Sequence, residues 1–502
     1  MGLNESPERG SAAVLIDDGD SQLRSAGPAA GIEPADAGEL LDELRLLRAR
    51  NDELERLLTR NPTTGLPIRR LFDREFERAL DAVTRIERGP RIAIGLLRLN
   101  HDYDRIKNSR DRNRVLLFKT GDRMREVVGD NVYQSDRLDE FLLILRDIPN
   151  LDGAELRAGD IVDIIATPHE PPADDVRFGC HLGISVYPDH GIDREELLGN
   201  ANIALRESER TDQPFVIYDT ELGRGFRERE ELERTLRQTI QSGFGGFALN
   251  YQPFVDRSLR ICGSEVLIRW TGADGRMIPP DLFIPVAEET GDIRFLGQWS
   301  LYQACRQLRH WHRSGHDGLF VSVNVSPAQF RQQDLVERVG GIIDSLKLDP
   351  SVLHLELTET TVMDDPADAI ARLTELRDMG VHLALDDFGT GYSSLTYLRE
   401  FPFDTLKVDR SFVTGIDASP QNRQIVKAIV TLARGFDMHV VAEGVETTQE
   451  LEVVFDYGCD YVQGYVFSPA VSADAYIERV NAGPIQPPSG RLTRSPAEGS
   501  AP

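Results

Sequence analysis

The sequence predicts an α/β protein with two folded parts: an α+β domain over 61–219, then a TIM-type (β/α)8 barrel over 231–483 whose first strand runs antiparallel. Three observations predict this. From 247 onward eight β-type runs follow one another: FALNYQP, LRICGSEVLIRW, FVSVNVSP, VLHLELTE, VHLALDDF, TLKVDRSFV, HVVAEGVE and YVQGYVFSP. Most are separated by helix-length segments such as RLTELRDMG (372–380) and NRQIVKAIVTLARGF (422–436). The first two are joined only by a few residues around VDRSLR, too short for a parallel crossover. Residues 61–219 show a different rhythm, in which the strand-length runs IAIGLL (92–97), FLLILR (141–146), GCHLGISVYP (179–188) and PFVIYD (214–219) mix with helical patterns such as RRLFDREFERALDAV (69–83).

The flanking elements follow in chain order. Residues 1–37 are rich in Gly, Ala, Ser, Pro and Asp without apolar periodicity and read as disordered, as does the tail 484–502. Over 38–60, Leu40, Leu44, Leu47, Asn51, Leu54 and Leu58 alternate 4 and 3 spacing, a short coiled-coil seam. An Asn in such a seam can fix a parallel homodimer; a single amphipathic helix lying on the next domain is the other reading. A charged helix over about 220–242 leads into the barrel, its first part, 220–230, acting as linker.

Composition limits the function. With 502 residues the chain has room for two to four domains, and 40% hydrophobic residues supply ordinary cores. Asp plus Glu number 83 against 57 Lys plus Arg, a formal net charge of −26, which argues against a protein that coats nucleic acid. An anionic substrate is still compatible, because a bound divalent cation reverses the local sign. Cys180, Cys262, Cys305 and Cys459 lie far apart without CxxC spacing, so neither a zinc site nor a disulfide framework is expected, and reduced thiols in a cytoplasm are. No apolar run approaches membrane-spanning length, and the N-terminus lacks the pattern of a signal peptide.

Chemistry concentrates near the ends of the barrel strands. Glu265, Asn324, Glu356, the pair Asp386 and Asp387, Lys407, Glu443 and Gln463 fall on seven successive runs. A barrel core normally takes Val, Ile and Leu there, and a carboxylate buried without a partner costs several kcal/mol. So many converging acids need a cation, and one lysine does not neutralise them. Oxygen ligands plus an amide, with no His or Cys in the ring, suit Mg2+ or Mn2+ rather than zinc. Two such ions suit attack of water on a phosphodiester.

The blocks carrying these residues resemble the EAL family of cyclic di-GMP phosphodiesterases across 231–483. They are FIPVAEETGDI (283–293), SVNVSPAQF (322–330), LELTET (355–360), LALDDFGTGYSSL (383–395), LKVDRSF (406–412), VVAEGVET (440–447) and VQGYVFSPA (462–470). The name-giving triplet stands as Glu265-Val266-Leu267, with Val replacing Ala at a position that strand alternation turns away from the chemistry. The resemblance implies hydrolysis of cyclic di-GMP to linear pGpG with two ions. Glu265, Asn324, Glu356 and Asp386, completed by Glu443, would hold the first, and Asp386 with Asp387 the second. Lys407 would contact the attacking water, Gln463 would orient water or substrate, and Arg269 and Gln252 would bind the nucleotide. Asp387, Phe388, Gly389, Thr390, Gly391, Tyr392, Ser393 and Ser394 would form a regulatory loop held by Glu359. A receptor that binds cyclic di-GMP without cleaving it is the alternative.

Residues 61–219 resemble the GGDEF family, which makes cyclic di-GMP from GTP. NPTTGLPIRRLF (61–72) matches its opening block, and Asp139-Glu140-Phe141 its signature. Arg137 and Leu138 replace the two glycines that admit GTP phosphates, and Arg98 or Leu99 falls where a metal-binding Asp is expected. Val128 and Asn131 stand in place of the product-inhibition motif. The resemblance therefore implies a degenerate domain without cyclase activity, either a GTP-responsive regulator or a dimerisation scaffold.

Overall fold

The computed structural model describes residues 45–47, 49–50, 58–85, 91–100, 110–167, 179–363, 365–389 and 398–486. The chain divides into two compact units, Met1–Phe226 and Arg227–Pro502. Most of the seam expected over 38–60, Asn51 included, and Thr390, Gly391, Tyr392, Ser393 and Ser394 of the expected loop lie outside the described residues.

The first unit is built on β1 (Arg91–Leu99), β2 (Val132–Gln134), β3 (Glu140–Ile148), β4 (Cys180–Tyr187) and β5 (Phe215–Ile217). They form one sheet in the order β2-β3-β1-β4-β5, antiparallel except for the β4–β5 pair. The central strand is apolar on both faces, and period-2 alternation divides its side chains. Ile92, Ile94 and Leu96 pack with Phe72, Phe76, Leu197, Ala201 and Leu205 from the helices Arg69–Thr84 and Arg194–Thr211. Ala93, Leu97 and Leu99 pack the other way, with Leu116 and Leu117 from the helix Arg110–Val128 and with Ala154, Ala158 and Ile161 from Leu151–Ala166. Each such fully buried Leu or Ile contributes about 1.5–3 kcal/mol. Gly183 on β4 is required for this packing, since a Cβ there would sit 2.2 Å from the Ala201 carbonyl and the Leu205 nitrogen.

The second unit is a closed barrel. Its strands are β6 (Phe247–Asp256), β7 (Ile261–Thr271), β9 (Phe320–Asn324), β10 (Leu353–Thr358), β11 (His382–Phe388), β12 (Thr405–Val408), β13 (His439–Ala442) and β14 (Tyr461–Val462), while β8 (Met277–Ile278) adds to β7 outside the ring. From β7 through β14 the ring neighbours are parallel. β6 closes the ring antiparallel to both β7 and β14. The expected short hairpin makes this possible: Asp256 Oδ1 accepts from the amides of Ser258 and Arg260, and Leu259 turns the chain at φ 60°.

The outer faces of the strands bury Val321, Val323, Leu355, Leu357, Leu383, Leu385, Leu406 and Val440 against helices that include Ile293–Arg313, Leu335–Leu346, Pro366–Asp378, Pro420–Gly435 and Thr448–Tyr457. One end of the interior is filled by rings. Phe320 stacks on His354 at 4.0 Å and His354 on His382 at 4.8 Å. Gly263 leaves room for the Phe320 ring, which a Cβ would meet at 2.6 Å. Burial pushes His354 down to about 3, so it packs as a neutral ring. Among the described residues, no helix is long and apolar enough to cross a membrane.

Candidate active site

At the other end the interior is polar, and register explains why. Parallel pairing sets Asn324 beside Glu356 and Thr358 beside Asp386, while the antiparallel pair sets Gln252 opposite Glu265. Lys407 rises from β12 into their midst and is only 1% exposed. Its Nζ lies 2.6 Å from Glu356 Oε2, 2.5 Å from Glu443 Oε1, 3.1 Å from Asp386 Oδ1 and 4.0 Å from Glu265 Oε2. Glu265 is fixed separately: Asn324 Nδ2 donates to its Oε1 at 2.7 Å and Gln463 Nε2 to its Oε2 at 2.6 Å. The structure thus brings Glu265, Asn324, Glu356, Asp386, Lys407, Glu443 and Gln463 into one cluster. Glu265 lies in the middle of β7 rather than near its end, because β7 runs on to Thr271 to pair with β8.

One ammonium against this many carboxylates leaves the cluster negative. Burial, offset only in part by Lys407, pushes Glu356 up to about 8. Burial likewise raises Glu443, with Asp386, Glu265 and Glu356 adding to the rise. Lys407 shifts against the direction in which burial alone moves a lysine. Burial pulls it down, but Asp386, Glu265, Glu356 and Glu443 together hold its ammonium well above the usual lysine range. Among the described residues, Glu356 Oε1 and Gln463 Oε1 are buried with no hydrogen-bond donor, and Glu443 Oε1 has only its ion pair. Buried acceptors without donors are costly, and an all-oxygen set of this kind fits a hard cation. Among the described residues no three His, Cys, Asp or Glu side chains are grouped to hold a metal as they stand; the carboxylates are drawn onto Lys407 instead.

The neighbouring Asp387 reaches this region through a break in alternation. The β11–β12 register shifts between Leu385 and Phe388, and Asp387 adopts φ 54°. Burial raises its carboxyl, followed by Asp386 and Asp409. Asp409 is an acid that sequence reasoning left without a role. It caps the helix Arg410–Val413 through the Ser411 amide at 2.9 Å. Its signal was available, since it stands two residues after Lys407 and alternation puts both on one face. Glu446, also unassigned, pairs with Arg410 at 2.8 Å. Arg269 is half-buried and donates to the Ile268 carbonyl at 3.0 Å. Glu359 is buried at the start of the helix Glu359–Met363. Gly389, the last described residue of the expected loop, has φ 98°.

In the first unit the signature acids are already matched by arginines. Arg98, not Leu99, is the strand-end residue that meets them, since Leu99 is buried in the core. Arg98 lies 2.7 Å from Glu140 Oε2 and 2.6 Å from Glu209 Oε1. The other oxygen of Glu140 accepts from Ser135 Oγ at 2.6 Å. Arg137 holds Asp139 through two donors at 3.0 and 2.7 Å. Burial would raise Asp139, but Arg137 brings it below the usual carboxylate range.

Comparison with known proteins agrees with this two-part description. Residues 233–470 match the EAL domain model, and residues 59–213 match the model of the diguanylate cyclase, GGDEF domain. The chain is 34% identical over 442 residues to the bifunctional diguanylate cyclase/cyclic di-GMP phosphodiesterase MucR of Pseudomonas aeruginosa, covering 86% of this chain and 63% of that protein. It is 34% identical over 425 residues to the cyclic di-GMP phosphodiesterase NbdA of the same organism, covering 84% of this chain and 53% of that one. It therefore spans between half and two thirds of these relatives. Among solved structures, the cAMP-bound EAL enzyme Bd1971 aligns at a TM-score of 0.51 with 27% identity, over 72% of this chain and 86% of that one. The chain belongs to the EAL family, with a GGDEF-family domain ahead of its EAL domain.

Proposed function

We propose that the barrel, residues 231–483, hydrolyses cyclic di-GMP to linear pGpG. The observation that carries this reading is the buried cluster around Lys407, in which, among the described residues, carboxylates outnumber the single ammonium and buried oxygens have no donor. The phosphodiesterase activities named for MucR and NbdA support it. Glu265, Asn324, Glu356, Asp386 and Glu443 are the residues suited to hold one Mg2+ or Mn2+, and Asp386 with Asp387 a second. Such ions supply Lewis-acid polarisation of the phosphate and lower the pKa of water.

The protein's own groups do the rest. Asn324 and Gln463 hold Glu265 in one orientation through its two oxygens. Lys407 places a positive charge where the attacking water and the developing phosphorane charge meet. Arg269 and Gln252 bind the dinucleotide, and the Asp387–Ser394 segment with Glu359 regulates access. Water adds to phosphorus, the bond from phosphorus to one 3′ oxygen breaks, and that oxygen takes the proton. The test is full-length protein with cyclic di-GMP and Mg2+ or Mn2+, with products separated by chromatography. Appearance of pGpG is expected; binding without cleavage would establish the receptor reading instead.

For the first unit the reading is a degenerate GGDEF domain that regulates or dimerises. Guanidinium groups at Arg98 and Arg137 occupy the carboxylates that a metal–nucleotide complex would need. Incubation with GTP and Mg2+ should yield no cyclic di-GMP.

A further inference from the structure

We propose that Glu450 is a positioning residue that sets Lys407 against Glu443 by bridging the two loops that follow their strands. The proposal rests on the phosphodiesterase reading above for its kinetic arm. Glu450 lies outside the acid cluster, in the first turn of the helix Thr448–Tyr457, and is 2% exposed. Its Oε2 accepts from the amides of Glu446 at 2.9 Å and Thr447 at 3.0 Å, while Thr447 Oγ1 accepts from the Glu450 amide at 3.1 Å. That is a complete capping box, and it uses one carboxylate oxygen.

The second oxygen does something a cap does not require. Glu450 Oε1 accepts from the amide of Gly415 at 2.8 Å, on the other loop. Gly415, at φ 69°, follows the helix Arg410–Val413, which follows Lys407 and Asp409. On the near side, Glu446 and Thr447 follow Glu443 in the loop after β13. One buried carboxylate therefore ties the Lys407 segment to the Glu443 segment, whose ion pair spans 2.5 Å.

Other contacts make the joint tight. Arg410 pairs with Glu446, and Gly444 packs so closely on the Arg410 stem that a Cβ would meet it at 2.3 Å. The Glu443 amide donates to the Val408 carbonyl at 3.2 Å. A glutamine would cap the helix as well without the cost of burying a charge. Three amide donors offset that cost here, and only a carboxylate offers an acceptor to both loops.

Glu450→Gln isolates the bridge. The amide oxygen keeps the cap, and its NH2 then faces the Gly415 N–H, donor against donor. We expect kcat for cyclic di-GMP to fall roughly 10- to 100-fold, the scale of a small misplacement of reacting groups. KM should stay within about 2-fold, as for an interaction made in the transition state alone. Thr447→Val removes the cap but not the bridge, and should lower the melting temperature while leaving kcat unchanged. In the unmodified protein, hydrogen exchange across 414–418 should be slow, and Glu450→Gln should speed it.

Wild-type kcat in Glu450→Gln, or an equal kcat loss in Thr447→Val, overturns the proposal. So does rapid exchange of 414–418 in the unmodified protein, a readout that needs no variant to fold. If unmodified protein leaves cyclic di-GMP intact, the phosphodiesterase reading fails, while the exchange measurement still decides whether the bridge exists.

Discussion

Two acid clusters among the described residues, one partly buried in the first unit and one deep in the barrel, are solved in opposite ways. In the first unit, Glu140 and Glu209 share Arg98, and Asp139 pairs with Arg137. Each acid has a guanidinium at hydrogen-bonding distance, two cations against three carboxylates. In the barrel, Glu265, Glu356, Asp386 and Glu443 all lie within 4.0 Å of one Lys407. That cluster is short of positive charge, which is why burial drives Glu356 and Glu443 upward while Asp139 goes down. Acids held by guanidiniums give structure; the surplus of buried acids is what the proposed cation site rests on.

The largest test removes what holds the surplus together. Lys407→Ala should abolish turnover, a loss of roughly 10³-fold or more on the scale of general acid–base and charge-stabilising groups. It should also destabilise the barrel by about 3–5 kcal/mol, the cost of leaving buried charges uncompensated, read as a lower melting temperature. Glu265→Ala should cost turnover on a similar scale, but less stability, because Asn324 and Gln463 are neutral partners. Unchanged product formation in either variant would break the comparison.

The next test supplies the missing charge. At a hundredfold excess over Kd, Mg2+ or Mn2+ should stabilise the barrel of the unmodified protein by about 2.7 kcal/mol, read as a higher melting temperature. Asp386→Asn should diminish that response. A thermal scan indifferent to both ions would remove the case for a cation-recruiting site.

A smaller effect is expected in the first unit. Arg98→Ala leaves Glu140 buried without its strongest partner and should lower stability by about 1–3 kcal/mol, with no gain of cyclase activity and little change in barrel turnover. Recovery of cyclic di-GMP synthesis would show that Arg98 alone blocks that chemistry.

The smallest concerns pH. His190 is buried in the first unit, and its Nδ1 accepts from the Val186 amide at 3.1 Å. Burial lowers it below 6.5, although Asp189 and Asp219 oppose this. Below its ordinary pKa the unfolded chain takes up a proton that the folded one resists, so stability falls as pH drops through and below 6.5. His190→Gln keeps an acceptor and removes the titration. Its melting temperature should vary less than that of the unmodified protein between pH 7 and 5, by about 2 °C.

Much of the barrel was legible. Alternation of strands and helices is a local pattern, and it gave all eight ring strands; the shortness of the first connection gave the antiparallel β6. The same local periodicity marked the residues that the structure gathers around Lys407. Asp387, named with Asp386, stands where a register shift interrupts the period of two. Local periodicity left Arg98 and Leu99 undecided, because a one-residue slip exchanges the faces of a strand.

By itself, then, the sequence determined the elements, their order and the identity of the polar side chains, since each depends on neighbours a few residues apart. Only the tertiary structure decided which carboxylates share Lys407, that Arg98 meets Glu140 across β1 and β3, and that Glu450 reaches Gly415. These contacts join residues 51, 42 and 35 positions apart. They exist because strand register and ring closure bring distant segments to one level, and no local pattern encodes that distance.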